Sequence, residues 1–182
     1  MGLPLLKEAF QAVQAASLPL EPDASESTGE LLGMLARIAT RSERNVAEWD
    51  NQASRLTRDI PHAVKEYLSS GGKPEEIASD LERLKMEVES RHDKIVALSD
   101  QAHMIFDQDN RSGYDFLFGD AELFISHARR MNALMDKDIA IGSELLDFLT
   151  ITIADIDPDA RGGPSFDNVD DLIAYLHGQI EA

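Results

Sequence analysis

The chain has 182 residues, no cysteine, and 34 acidic against 17 basic side chains, a net charge of −17. That composition excludes disulfides, thiolate nucleophiles and cysteine-ligated metal sites. It also disfavours a nucleic-acid or anionic-membrane partner, because the surface field repels polyanions. The excess is uneven: residues 1–106 hold 12 bases and 18 acids, residues 107–182 hold 5 and 16. Such a surface keeps the chain soluble, and it can attract cations or a basic protein partner.

The opening MGLPLLKEAF is interrupted by Lys7 and Glu8, so no secretory apolar core is expected. Leu6 stands where a myristoylation signal needs Ser or Thr. No segment approaches the ~20 apolar residues that span a bilayer. A soluble, cytoplasmic protein is therefore expected.

Residues 3–17 predict a short amphipathic helix, with Pro4 in its first turn and Leu6, Phe10 and Val13 on one side. Residues 18–28 read as a linker rich in Pro, Ser and acid. Residues 1–28 thus form an arm, and its tether invites a swapped homodimer. Residues 29–182 form a single helical domain, divided into a long-helix part, 29–108, and an acidic part with shorter helices, 109–182.

From Leu32 to Ile60 the apolar residues follow a heptad. Leu32, Ala39, Val46, Ala53 and Ile60 occupy one seam position, and Leu35, Ser42, Trp49 and Leu56 the other. Pro61 is expected to interrupt this helix, leaving a short helix from His62 to Leu68 before the breaker Ser69-Ser70-Gly71-Gly72. Pro74, Glu75 and Glu76 open a second heptad, with Leu81, Val88, Ile95 and Ala102 on one seam and Leu84, Arg91, Leu98 and Ile105 on the other. Two helices of about 30 residues, each about 45 Å long, are expected to fold back as an antiparallel, coiled-coil-like hairpin. Folding about residue ~67 sets Ser42 level with Arg91, by equal rise along both helices. Arg91 in a seam must then meet an acid or carbonyl, or reach the surface. Arg91→Leu is then expected to leave stability unchanged or to raise it.

Asp107 to Asp115 is a turn-rich loop. Asp120 is placed to cap a helix from Ala121 to about Lys137, with Phe124, Ala128, Met131 and Met135 on its inner stripe. Ser143 is placed to cap a further helix through Ala154. Leu149 to Ile153 alternates as a strand would, yet no other segment offers a partner strand, so helix is expected there. Asn168 to His177 closes the chain as a helix with Val169, Leu172, Ile173 and Leu176 inward. The fold expected is all-α, the hairpin packed with three or four shorter helices.

Catalytic motifs do not emerge. Gly163-Pro164-Ser165-Phe166-Asp167 lacks the second glycine of a nucleophile elbow, and Gly71-Gly72-Lys73 lacks the rest of a phosphate loop. Glu89-x-x-His92 is one step of the kind that di-iron bundles use in pairs, and Asp100-x-x-His103 is a weaker echo. Glu89 falls on an outer heptad position and His92 on the flank, which reads as solvated helix surface. His127 reads as a core histidine. Asp155, Asp157 and Asp159 place three carboxylates at alternate positions, as a calcium loop does, but Ala160 and Phe166 stand where an EF-hand has Gly and Glu. These residues read as a polar turn joining helices, and no cofactor is expected; the alternative is a calcium site at Asp155, Asp157 and Asp159. Tyr114, Phe116 and Phe118 belong to an aromatic stretch that either plugs the end of the hairpin or anchors a partner.

The function expected is non-catalytic: a helical interaction module with an acidic surface, of adaptor, chaperone or neutralising-partner type. The alternatives are a calcium-responsive binding domain and an enzyme whose carboxylates and histidines meet only in the fold.

Overall fold

The computed structural model describes residues 4–18, 28–106 and 121–156. They form four helices, with no strand among the described residues: α1 (Pro4–Ala15), α2 (Thr28–Ser69), α3 (Pro74–Phe106) and α4 (Ala121–Ile156). The fold is all-α. The sequence predicts three or four shorter helices beside the two long ones. Among the described residues there is one short helix, α1, and a third long one, α4.

The heptad positions of α2 are buried from Leu32 to Ile60 on both seams, Ser42 and Trp49 included. Leu81, Leu84, Val88, Arg91 and Ile95 are buried on α3. Leu98 and Ala102 are half-buried. The inner stripe of α4 is buried as expected at Phe124, Ala128, Met131 and Met135, and continues through Ile141, Leu145, Leu149 and Ile153.

Two expected breaks are absent. α2 passes through Pro61 without ending. Leu56, Ile60 and Val64 are buried on either side of it. A proline interrupts a helix locally, by removing one N–H and crowding the carbonyl four residues back. Here that carbonyl belongs to Thr57, and both Thr57 and Pro61 face solvent. Water can satisfy the carbonyl while the opposite face packs. α4 likewise runs unbroken through 138–143, where two helices were expected to meet. Ser143 is not a cap. Its Oγ shares a hydrogen bond of 3.1 Å with His92 Nε2 on α3. Residues 149–153 are helical, as the missing partner strand implied.

α2 ends where the backbone demands it. Gly71 has φ of +88°. The Gly72 N–H donates to the Tyr67 carbonyl and the Gly71 N–H to the Leu68 carbonyl, the paired bonds of a Schellman cap. A Cβ on Gly72 would fall inside the Tyr67 ring. That ring is held by its own hydroxyl, which donates to Glu76 at 2.8 Å across the turn.

Contacts between α2 and α3 run in opposite chain sense, Tyr67 with Glu76 by the turn and Trp49 with Arg91 farther along. α1 and α4 each flank both α2 and α3. α1 buries Leu6, Ala9 and Val13 in one core with residues of the other three helices. Glu8–Arg55 at 3.5 Å and Gln14–Glu87 at 3.3 Å fasten its edges. On the other side, Glu43 pairs with Arg130 and Asp50 with Lys137. Each partner in the second pair lies seven residues beyond its counterpart, so α2 and α4 run in the same direction.

Candidate functional site

Two features depart from an ordinary apolar bundle. The first is a polar layer inside it. The seam position that brings Arg91 inward meets Asp138 on α4. The guanidinium donates through Nη1 to Oδ1 and through Nη2 to Oδ2, the latter at 2.8 Å. Arg91 is 5% exposed and Asp138 1%. The face of the guanidinium lies over the Trp49 ring, 4.4 Å from its centroid, a cation–π arrangement. Three helices therefore contribute one member each. Among the described residues, Ser42 Oγ, Trp49 Nε1 and Arg91 Nε reach no hydrogen-bond partner. Gly142, a turn beyond Asp138, lets α3 approach: a Cβ there would stand 3.0 Å from the His92 ring. A fork-shaped cation bound to a carboxylate is strongly directional. Shut from solvent, the layer has the character of a register lock.

The second feature is a groove along the α2–α4 seam. The groove, about 620 Å³, is lined by Val64, Leu68, Phe148, Ile151 and Ile156, with Lys65 and Asp155 among the polar residues. A separate hollow farther along the same seam, about 360 Å³, is bordered by residues from Asp50 to Arg58 and from Ile141 to Leu145. Ile151 is 63% exposed, one of few large apolar side chains so open. Thr152 takes itself out of the polar rim by donating to the Phe148 carbonyl at 2.8 Å. Two helices running in the same direction thus leave an open, mostly apolar trough at their shared end.

The expected site residues fall as follows. Asp155 lies exposed in the last turn of α4, while Asp157 and Asp159 lie outside the described residues. So do Tyr114, Phe116 and Phe118. Glu89 is exposed and His92 half-buried against Ser143, which separates the two halves of that Glu-x-x-His step. Asp100 is exposed and His127 half-buried. Among the described residues, no three His, Asp or Glu side chains converge as a metal site would need. No helix among them is long and apolar enough to cross a membrane. Sequence reasoning missed Asp138 and the groove. Their signals were an acid directly before the apolar run Ile139 to Ile141, and the outward Ile151 in a helix whose inner stripe was already complete.

The chain matches no family model, no curated protein and no solved structure.

Proposed function

We propose that the chain is a non-catalytic helical interaction module that seats an amphipathic helix of a basic partner protein in the α2–α4 groove. In this reading α2 and α3 form an antiparallel, coiled-coil-like hairpin, and α4 supplies the second wall of the seat. The observation that carries it is the groove with Ile151 exposed in it. Helix-in-groove recognition uses such a trough, reading apolar anchors one and two turns apart. The net charge of −17 favours a basic partner and speeds its encounter. The polar layer, by contrast, is sealed, so it supports a structural role and not a reaction.

The experiment is a titration with a labelled basic amphipathic helical peptide, followed by fluorescence anisotropy. Binding should saturate and should weaken about tenfold or more in Ile151→Glu, equivalent to about 1.4 kcal/mol. Helix content should not change, because Ile151 already faces solvent. Equal binding by Ile151→Glu, or none by the native chain, would remove the proposal.

A further inference from the structure

The N-terminal half of α2 carries an electrostatic anomaly. Arg37, Arg41 and Arg44 are exposed and stand at helical spacing along one side of the helix. Among the described residues none of the three forms an ion pair or hydrogen bond, whereas Arg55, Arg58, Arg83, Arg91 and Arg130 all do. Glu43, within the same stretch, is turned away to Arg130 on α4. Like charges three and four residues apart repel on a helix. A chain with twice as many acids as bases has therefore gathered, within eight residues, three arginines that no described residue pairs. They border an open hollow of about 480 Å³ together with Ala36 and Thr40. Thr40 donates its hydroxyl to the Ala36 carbonyl at 3.0 Å, which leaves the guanidinium groups as the donors facing outward.

We infer that this arginine stripe is a second docking surface, and that it takes an extended acidic peptide segment of a partner protein. Guanidinium forks match carboxylates bidentately. Arg37 and Arg41 are about 6 Å apart along the helix axis. Acids at alternate positions of an extended chain are about 6.6 Å apart on one side, so a peptide with alternate Asp or Glu lies along the stripe in register. A nucleic acid fits less well. Its charge continues at one per ~1.7 Å of duplex, well past a stripe about 10 Å long and onto a molecule whose net charge is −17. The stripe is thus opposite in sign to the partner surface of the proposed function and independent of it.

The test uses the full chain and a short labelled peptide alternating Glu and Ser, with a Gln–Ser peptide as the neutral control, at low ionic strength. The acidic peptide should bind saturably and the neutral one should not. The triple variant Arg37→Gln, Arg41→Gln, Arg44→Gln should weaken binding about tenfold or more. Gln is a good helix former, and loss of mutual repulsion should raise the variant's melting temperature slightly. Lys73→Gln, Lys94→Gln, Arg129→Gln removes the same charge elsewhere and should keep the affinity within about twofold. Ile151→Glu should bind the acidic peptide as the native chain does, which separates this surface from the groove. Equal losses in the two triple variants, or no saturable binding, would overturn the inference. So would tighter binding of an oligothymidylate through the same three arginines.

Discussion

Arg91 shows how one residue can look like a defect in sequence and act as a fastener in the fold. A charge in a heptad seam conflicts with the apolar pattern, and the sequence alone left it two ways out: a partner or the surface. Asp138 settles the matter, because a bidentate carboxylate more than nine-tenths buried leaves no route to solvent. The expectation that Arg91→Leu would be harmless is therefore reversed. Removing the cation strands Asp138 in the interior, and breaking such a pair typically costs about 3–5 kcal/mol. Urea denaturation of Arg91→Leu should show a loss of that order. Arg91→Leu with Asp138→Leu removes both charges and should recover most of it. A double variant as weak as the single one would show that the pair contributes more than mutual neutralisation. Trp49, the chain's one tryptophan, stacks on Arg91 and gives the same experiment a fluorescence readout.

At the level of whole helices, the heptads and the inner stripe of α4 were legible because periodic burial repeats the same signal many times. The ends of helices were less so. Pro61 and the segment 138–143 both carry local signals for interruption, and both are overruled by packing that continues on either side. The Gly71–Gly72 stop was legible, since paired glycines are a local signal, which the positive φ at Gly71 and the Tyr67 ring against Gly72 explain. The Arg37–Arg41–Arg44 spacing was also readable in sequence, but that Glu43 turns from them toward Arg130 on α4 was not. Pro61 offers the clearest test. Its exposed ring denies the Thr57 carbonyl a helical donor. Pro61→Ala restores that donor at a net gain of about 1–2 kcal/mol, after allowing for the looser unfolded chain. Thermal unfolding should show a higher midpoint. A lower one would mean that proline's geometry shapes α2 to fit α4.

Across the whole molecule, charge works in two directions at once. The surplus of acid repels itself and is relieved as protons bind. Individual pairs behave oppositely. The hydrogen bond from Arg130, with its charge, holds the Glu43 carboxyl below its ordinary value of 4.5. A lowered folded-state value means that stability from this pair is present above the unfolded value and is lost as pH falls through the folded one. The stability difference between native chain and Glu43→Gln should therefore be constant near neutrality and shrink as pH drops below about 4.5. Subtraction cancels the general relief of repulsion that both chains share. A difference that grows on acidification would contradict the Glu43–Arg130 assignment.

The shared direction of α2 and α4 has one more consequence. Peptide dipoles add along a helix, leaving roughly half a negative charge at its carboxyl end. Because the two helices run the same way, Ser69 and Ile156 bring two such ends to one mouth of the groove. Neither helix has a basic residue in its last turn. The oppositely directed α3 starts at the same end, but Glu75 and Glu76 in its first turn offset its positive pole. The backbone itself thus makes that mouth cation-seeking, so a docking helix should enter with its amino-terminal turn, or a lysine or arginine, pointed toward it.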